Sequence, residues 1–594
     1  MNSRIRSVAF IPIYHPLMSL KPFPILIISF LVFAVEMTSL AKEPKPNVIL
    51  IMTDDQGYGE LSSHGHAILK TPHLDRLRDE SVRLIDFHVS SKCSPTRAAL
   101  MTGRHCRHVG VREADNGRNI IGREISTAAD VFSANGYSTG IFGKWHLGGH
   151  YPFRPQDRGF DEVVIHGNGA IGTTGDKWDN DYYDDLYRHN GKLQRYEGYC
   201  TDVWFEEAMA WMKQSSDKEQ PFFCYLPTNA PHGPYIVPDK YSEPFRKAGR
   251  KDANRLGMIS NIDENMGKLM TFLKSSGLQQ NTILIFLTDN GASKIGDNAG
   301  MRGGKGNGYD GGHRVPFFVR WPDGSLTGGK DVDTLTAHID VLPSLVDLCG
   351  LSAEGTPFDG ISFASALHGK PDRQFDDRVL IESYSGIVLT EEWRLVNDEE
   401  LYNIQSDPSQ SNDVATEYPG VRYRLRKALR ENKAGDYNVV PRIIIGSEFQ
   451  PVQEFTIFHW YDHHGYYNNL KVTQGALVNG VIPIEVTKSG KFGFTLRRWP
   501  SDLEIPISSK PDNDLNGFKL FNASDPDHRF KALDIRSARL RVGSFDDSKP
   551  VTETMSSVVF TLDLEAGETE IETWFTTGDG KTLGTYYLDV QRIN

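Results

Sequence analysis

Between residues 46 and 287, short apolar runs alternate with longer segments in which apolar residues recur at helical spacing. Four apolar runs predict buried strands, at 47–52, 138–142, 221–226 and 282–287. Three segments between them predict helices, at 126–135, 201–213 and 254–276. Strands that alternate with helices along a chain form a sheet whose neighbouring strands run in parallel. The pattern therefore predicts an α/β region with a large, mixed and mostly parallel sheet flanked by helices.

The character of the sequence changes after about residue 440. The segments 481–498 and 537–594 consist of short β-type runs separated by turns rich in Pro, Asp and Gly. A chain of 594 residues is also too long for one ordinary domain. We therefore predict an accessory β-sandwich domain at 441–594.

The beginning of the chain has the pattern of an export signal. Lys21 is followed by an apolar run at 23–35 and by the small-residue exit Ser39-Leu40-Ala41. A membrane anchor is the alternative, although about 13 mostly apolar residues are short for a span. We predict a signal peptide at 1–41, with Met18 as a second candidate start, no stable membrane span, and export to the periplasm or the extracellular space.

Composition bears on partners and on cysteine chemistry. The formal net charge of −12 provides no global basic field, which argues against a nucleic-acid partner but leaves room for a local basic pocket. An odd number of cysteines in an exported protein leaves one thiol for a purpose other than pairing, and the other four either pair or stay reduced. The five cysteines are Cys93, Cys106, Cys200, Cys224 and Cys349.

Polar residues follow the predicted strands closely. In an open α/β sheet the ligand crevice lies outside the carboxyl ends of the strands, so these residues are expected to converge. Two of the strands are followed by hard oxygen donors, which suit Ca²⁺ or Mg²⁺, although either pair alone also suits a turn or a helix cap. The residues in question are Asp54, Asp55, Asp289 and Asn290 as oxygen donors, and Lys144, His146 and His232 as basic groups.

The segment 93–104 predicts a short helix that begins near a cysteine. Ser94 is a natural N-cap, Pro95 suits the first helical position and Gly103 suits the end. Cys93 then lies at a helix N-terminus, where free N–H groups and the helix dipole favour an anion. A cysteine there is a low-pKa nucleophile, a redox site or a buried structural residue, and its own segment does not decide between them.

The pattern Cys93-x-Pro95-x-Arg97, followed by Ala-Ala-Leu-Met-Thr-Gly-Arg, resembles the signature of the formylglycine-dependent sulfatases, which belong to the alkaline phosphatase superfamily. The resemblance extends over about residues 46–440, and Asp310, where a glutamate is usual, is a small departure from it. Further segments match the family in order: 47–56, 143–148, 230–232, 288–291, 304–305, 311–316, 401–403 and 407–408.

The resemblance implies an alkaline phosphatase-like catalytic domain at 46–440 that includes a small α+β subdomain. It implies a sulfuric ester hydrolase that removes sulfate from a sulfated carbohydrate or an aryl sulfate. Cys93 would be oxidised to formylglycine (3-oxoalanine) by a separate maturation enzyme. One hydroxyl of the hydrated aldehyde would attack sulfur and form a covalent sulfo-enzyme, and the second would allow the sulfate to leave. A plain serine or cysteine lacks that second hydroxyl.

The resemblance also implies a role for each site residue. Ca²⁺, with Mg²⁺ as the alternative, would be bound by Asp54, Asp55, Asp289, Asn290 and the modified Cys93. Arg97 would hold the hydrated aldehyde and His146 would remove its proton. Lys144, His232 and Lys305 would neutralise the sulfate oxygens, and His232 or Lys305 would protonate the departing alcohol.

Several alternatives stay open at this point. Within enzymes, a phosphodiesterase or phosphonate monoester hydrolase of the same superfamily competes with a sulfatase. From another class, a degenerate sulfatase-like protein could act as a glycan-binding module. The aromatic and acidic stretch at 167–198 suits either a sugar-binding rim or an ordinary packed loop. The C-terminal β region could bind carbohydrate, cover the edge of the site or mediate assembly.

Overall fold

The computed structural model describes Pro12 and residues 44–593, except 116, 371, 434, 462–468 and 512–529. The predicted signal peptide at 1–41 lies outside the described residues apart from Pro12. Among the described helices, none has both the length and the apolar character that a bilayer crossing needs.

The strands of the described residues are numbered in chain order. They are β1 (Asn47–Thr53), β2 (Val82–Leu84), β3 (Phe87–His88), β4 (Ser138–Gly143), β5 (Glu162–Ile165), β6 (Leu186–His189), β7 (Lys192–Arg195), β8 (Phe222–Pro227), β9 (Thr282–Thr288), β10 (Phe317–Arg320), β11 (Lys330–Val332), β12 (Thr336–Ala337), β13 (Leu380–Glu382), β14 (Ile387–Leu389), β15 (Trp393–Val396), β16 (Glu400–Asn403), β17 (Ile443–Ile445), β18 (Val452–Thr456), β19 (Ile482–Val486), β20 (Gly490–Arg497), β21 (Ile535–Val542), β22 (Phe545–Pro550), β23 (Val558–Leu564), β24 (Gly567–Thr577), β25 (Thr582–Leu583) and β26 (Tyr587–Arg592).

The α-helices of the same residues are numbered in the same way. They are α1 (Pro72–Glu80), α2 (Cys93–Thr102), α3 (Ala128–Ala134), α4 (Cys200–Asp217), α5 (Asp239–Lys247), α6 (Ala253–Ser275), α7 (Asp310–His313), α8 (Val341–Cys349), α9 (Ala364–Leu367), α10 (Pro419–Lys433) and α11 (Asn469–Gln474).

A ten-stranded mixed sheet forms the centre of the first region, in the order β11-β2-β10-β9-β1-β8-β4-β5-β6-β7. Its five middle strands, from β9 to β5, pair in parallel, and antiparallel pairs flank them on both sides. The four predicted strands are all in this parallel block. The predicted α/β class with a mixed, mostly parallel central sheet is therefore confirmed.

Helices cover both faces of this sheet, because its central strands are apolar on both sides. Along β1, Val48, Leu50 and Met52 pack into the core that faces α2, α3 and α8. The alternating residues Ile49 and Ile51 pack into the opposite core, which faces α1, α4 and α6. The two cores hold the sheet rigid, so the loops at its carboxyl edge rest on a fixed base.

A smaller four-stranded antiparallel sheet, β13-β14-β15-β16, follows the central region. Helix α10 packs on it, with Leu425 and Leu429 buried against Val388 and Leu395. The predicted α+β element is present in this form.

Two further sheets make up most of the C-terminal region, in which the short helix α11 lies between β18 and β19. One has the order β17-β19-β24-β21-β22, with β25 on β24, and the other has the order β18-β26-β20-β23. Their apolar faces share one core, in which Phe494 and Phe575 are fully buried. The same core takes in Phe153 and Trp178 from the central region. The C-terminal sheets therefore pack directly on the region that carries the central sheet.

Element boundaries differ from the predicted ones by a few residues. The helix predicted at 126–135 begins at Ala128, because Thr127 caps it and accepts a hydrogen bond from Asp130 N. The helix predicted at 201–213 runs on to Asp217. Its last residues are mostly polar, so the helical spacing of apolar residues does not reveal them. Such shifts are typical of helix ends.

Shortening Val48 at the centre of β1 should destabilise the fold. Val48→Ala removes two buried methyl groups and leaves a cavity, so the free energy of unfolding should fall by about 2 kcal/mol. Val559 on β23 is 50% exposed and serves as the control. Val559→Ala should change the free energy of unfolding by less than about 0.5 kcal/mol. Denaturant unfolding followed by tryptophan fluorescence measures both, and equal effects would contradict the central position of β1.

Candidate active site

The predicted site residues lie at the carboxyl ends of four adjacent parallel strands, β9, β1, β8 and β4. Because these strands run in the same direction, the polar residues that follow them emerge at one edge of the sheet. These residues are Asp289 and Asn290 after β9, Asp54 and Asp55 after β1, His232 after β8, and Lys144 and His146 after β4.

Helix α2 points its N-terminus at the same edge. The prediction that Ser94 caps this helix is wrong: Lys92 occupies the N-cap position without a side-chain cap, and Cys93 is the first helical residue. The hydroxyl of Ser94 instead donates to the His146 carbonyl oxygen at 3.0 Å, which ties the start of the helix to the end of β4. Gly103 ends the helix in a left-handed conformation, as predicted.

Cys93 is buried, with 3% of its surface exposed, and its Sγ lies 3.5 Å from His146 Nδ1. Burial raises the pKa of the Cys93 thiol, although Lys144 and Lys305 act against this. The geometry therefore disfavours the low-pKa thiolate alternative. All five cysteines are buried free thiols, so the four others stay reduced rather than paired.

His146 is held in an unusual backbone conformation beside Cys93. Its φ is 62°, in the left-handed region that few non-glycine residues adopt. Its carbonyl oxygen accepts hydrogen bonds from Ser94 and from Asn119 Nδ2, the latter at 3.1 Å. Its Nε2 is buried and has no hydrogen-bond partner among the described residues. Burial, reinforced by Lys144, lowers the pKa of His146 well below its usual range, so the ring is neutral.

Two buried cations, Lys144 and Arg97, neutralise the carboxylates of Asp54 and Asp289 at this edge. Lys144 Nζ lies 2.6 Å from an Asp54 oxygen, and both side chains are fully buried. Arg97, on α2, lies 2.7 Å from an Asp289 oxygen. Burial alone would raise the pKa of Asp54, but Lys144 and the other nearby cations lower it well below its usual range. The site is a buried cluster of opposite charges.

Lys305 and His232 lie close to the third carboxylate, that of Asp55. Lys305 Nζ lies 2.7 Å from an Asp55 oxygen, and His232 Nε2 lies 3.8 Å from the other one. Asn290 Nδ2 donates to Asp55 at 2.8 Å. Both Lys305 and His232 are partly exposed, at 22% and 16% of their side chains, so they border the entrance of the cluster.

The oxygen donors fit a hard divalent cation. Asp54 Oδ1 and Asn290 Oδ1 are buried and have no hydrogen-bond partner among the described residues, which is costly unless a cation satisfies them. Burial and the charge of Asp54 raise the pKa of Asp289 to about 7, as expected where carboxylates crowd together. Asp54, Asp55 and His232 also offer ligand atoms that lie within 4.8 Å of one another.

The contacts bring together every residue that the sequence singled out. Eight of them form one network of hydrogen bonds and ion pairs: Asp54, Asp55, Arg97, Lys144, His232, Asp289, Asn290 and Lys305. Cys93 and His146 form a neighbouring pair, which Ser94 ties to the same edge. Asp310, the departure from the family pattern, lies elsewhere and pairs with Arg394 at 3.2 Å. Asp310 therefore belongs to a separate, structural ion pair.

Sequence reasoning missed a buried ion pair beneath Asp55. Arg255, on α6, pairs with Glu60 and also donates to the Asp55 carbonyl oxygen at 2.6 Å. Asp55 has a φ of 67°, so this hydrogen bond helps to hold a strained residue in place. Glu60 follows the Asp pair closely in the sequence, but nothing marks Arg255 because it lies in an ordinary helical pattern. Asn119, which holds His146, also lies in a loop without a recognisable motif.

Comparison with known proteins places the chain in a family. A sequence model described as Sulfatase matches residues 46–351, just over half of the chain. The chain is 30% identical over 356 residues to the N-acetylgalactosamine-6-sulfatase of Canis lupus familiaris, a match that covers 54% of this chain and just under two thirds, 66%, of that protein. It is 28% identical over 490 residues to the N-acetylgalactosamine-6-O-sulfatase of Bacteroides thetaiotaomicron, covering 66% of this chain and 93% of that one.

A solved structure agrees with these sequence matches. The crystal structure of Ps i-CgsB in complex with k-i-k-neocarrahexaose is similar, with a TM-score of 0.61, 27% identity, and coverage of 66% of this chain and 94% of that chain. Because the sequence model spans more than half of the residues, the chain belongs to the sulfatase family of the alkaline phosphatase superfamily.

Proposed function

We propose that the protein hydrolyses sulfate esters, with Cys93 as the position of the nucleophile. The observation that carries the proposal is the placement of Cys93 at the N-terminus of α2, beside His146 and within the field of Lys144 and Lys305. A sulfate group is a tetrahedral anion, and helix N–H groups together with fixed cations stabilise such an anion and the charge that develops on it.

Each residue of the cluster has a role that its position supports. Lys144 and Lys305 would contact the sulfate oxygens, and Arg97 would orient the nucleophile from one turn further along α2. His146 would accept a proton from the nucleophile, since its ring is neutral and 3.5 Å from Cys93 Sγ. His232 or Lys305 would protonate the departing alcohol, because both lie at the partly exposed entrance.

We propose that a maturation enzyme converts Cys93 to formylglycine. When present, this group supplies two geminal hydroxyls, one for attack on sulfur and one that allows the sulfate to be expelled. The match of residues 93–104 to the family signature supports this conversion. The raised pKa of the unmodified thiol supports it too, because a neutral buried thiol is a poor nucleophile.

The oxygen donors Asp54, Asp55, Asp289 and Asn290 would hold Ca²⁺, with Mg²⁺ as the alternative. A divalent cation supplies charge that activates the nucleophile and polarises a sulfate oxygen. Hard oxygen ligands, and unsatisfied buried oxygens on Asp54 and Asn290, support this assignment.

The substrate class is proposed from the named relatives. Two of them are N-acetylgalactosamine sulfatases, and one structural neighbour was solved with a neocarrahexaose. We infer that this protein acts on sulfated carbohydrate and accepts aryl sulfates as small substrates. The signal-like segment at 1–41 supports export, and residues 46–440 and 441–594 would be the catalytic and accessory domains.

Comparison of ester types tests the proposed reaction. Initial rates on 4-nitrophenyl sulfate, 4-nitrophenyl phosphate and a 4-nitrophenyl phosphonate monoester should rank sulfate first, as the match to the sulfatases implies. If sulfate is the poorest of the three substrates, a phosphohydrolase of the same superfamily replaces the proposal. If no ester is turned over although mass spectrometry finds Cys93 modified, the glycan-binding alternative replaces it.

A serine at position 93 separates attack from release. Cys93→Ser retains one hydroxyl, so it should attack sulfur but lack the second hydroxyl that expels sulfate. Turnover of 4-nitrophenyl sulfate should fall by about 10³-fold or more, and intact-mass spectrometry should find one SO₃ group added to the protein. Cys93→Ala should lose turnover without gaining this mass. Full activity in either variant would refute the role of Cys93.

Removal of the cation should abolish activity reversibly. Dialysis against EGTA should inactivate the enzyme, and added Ca²⁺ should restore it better than Mg²⁺. Calorimetric titration of the metal-free protein with Ca²⁺ should show that Asp289→Asn weakens binding by about tenfold or more, ~1.4 kcal/mol. The control Asp217→Asn, at an exposed ion pair with Lys213 on α4, should bind like wild type. Equal affinities in the two variants would contradict the site.

A further inference from the structure

A cavity of about 620 Å³ lies between the central region and the C-terminal β region. One wall comes from strands β5 to β7 and the loop at 166–178, and the other comes from 450–459, 500–502 and 587–589. Ligand sites commonly have volumes of about 300–1,000 Å³ and lie where two regions of a protein meet. This cavity therefore has the size and the location of a ligand site.

The cavity reaches the catalytic cluster. His146, whose ring contacts Cys93, is part of its wall, and so are His166 and Asn168 at the carboxyl end of β5. Strand β5 is the parallel neighbour of β4, so the cavity continues the crevice at the carboxyl edge of the sheet. His146 therefore lies between Cys93 and the cavity.

Contacts across the seam between the two regions fix the second wall. Arg188 on β6 lies 3.6 Å from a Glu454 oxygen on β18. Lys177 pairs with Asp502. Main-chain contacts reinforce these pairs, since Tyr151 N donates to the Gln450 side chain at 2.9 Å. The C-terminal region is therefore a fixed part of the cavity rather than a loosely tethered neighbour.

The wall combines ring faces with neutralised charge. Tyr587 is partly exposed and lines the cavity, and its ring meets the buried Trp178 edge to face with centroids 6.4 Å apart. A partly exposed aromatic ring in a cavity wall packs against the apolar face of a sugar. The carboxylates of the wall have partners: Glu454 with Arg188, Asp502 with Lys177, Asp589 with Arg497, and Asp176 with backbone N–H groups.

Lys192 on β7 is the exception among the charged groups. It lines the cavity, is exposed, and has no ion-pair partner among the described residues. A free ammonium at the rim, together with carboxylates that are already paired, favours an anionic ligand over a cationic one.

We propose that this cavity binds the sugars of a sulfated oligosaccharide that extend beyond the residue whose sulfate lies at Cys93, with Lys192 contacting a further sulfate group. The proposal rests on the proposed sulfatase function and adds that the C-terminal β region is part of the substrate site. The protein then prefers oligosaccharides to single sugars, and the preference resides in the cavity rather than in the catalytic cluster.

Two pairs of variants test this inference. Val452 on β18 lines the cavity and is 40% exposed, so Val452→Trp fills the space without removing a charge. Val559→Trp, at a 50% exposed position on β23 outside the cavity wall, is the steric control. Lys192→Ala removes the free ammonium, and Lys213→Ala removes an exposed ammonium of α4 as the charge control.

Binding is measured on the full chain carrying Cys93→Ala, so that turnover does not interfere. Calorimetry with carrageenan and chondroitin sulfate hexasaccharides and disaccharides should show at least one hexasaccharide that binds more tightly than its disaccharide. Val452→Trp should weaken that hexasaccharide by about tenfold, and Lys192→Ala by about three- to tenfold, with the larger loss at low salt. Both controls should bind like the parent protein.

Hydrolysis of 4-nitrophenyl sulfate separates a failure of the cavity assignment from a failure of the proposed sulfatase function. It is measured on variants that keep Cys93. The aryl ester is too small to reach the cavity, so Val452→Trp and Lys192→Ala should keep its kcat/KM within about twofold. Unchanged hexasaccharide affinity in Val452→Trp, or no binding by any hexasaccharide, would overturn the cavity assignment while leaving aryl sulfate hydrolysis intact. A different result is that the otherwise wild-type protein hydrolyses no sulfate ester, while Val452→Trp still abolishes hexasaccharide binding. This result would overturn the proposed function and support the cavity assignment.

Discussion

The carboxylates of Asp54, Asp55 and Asp289 lie together at the carboxyl edge of the central sheet. Nearby positive charges have to balance the repulsion between them for the fold to be stable. Asp54 and Asp289 follow neighbouring strands, and Lys144 and Arg97 reach them from β4 and from α2. Buried ion pairs of this kind are costly unless geometry is fixed on all sides. The two hydrophobic cores provide that rigidity, and the N-terminus of α2 is anchored to the same edge by the bond from Ser94 to His146.

Much of this arrangement could be predicted from the sequence, because it depends on local pattern. The apolar runs that precede Asp54, Lys144 and Asp289 identify buried strands, and parallel pairing then makes their ends converge. The predicted cap of α2 is wrong because the Ser94 hydroxyl donates across the fold to the His146 carbonyl oxygen and does not bond to its own helix. A tertiary contact of this kind leaves no trace in the spacing of residues.

Arg255 and the C-terminal wall show where sequence pattern carries no information. Arg255 holds the Asp55 carbonyl through a contact between residues 200 positions apart. Likewise, the packing of Phe153 and Trp178 into the C-terminal core follows from shape, which single-sequence periodicity does not encode. The family match ends at residue 351, before the C-terminal sheets that form one side of the seam.

The seam has a consequence for the medium in which the protein works. Its ion pairs are partly exposed, with 39% and 59% of the side chains of Arg188 and Glu454 accessible. Salt near ~1 M, where the screening length is about 3 Å, therefore weakens them. The main-chain bond from Ile444 N to the Tyr151 carbonyl, and the bond from Asn469 to the Gly172 carbonyl, are much less sensitive to ions. In brine the two walls would therefore stay joined by these bonds while the Arg188–Glu454 pair weakens.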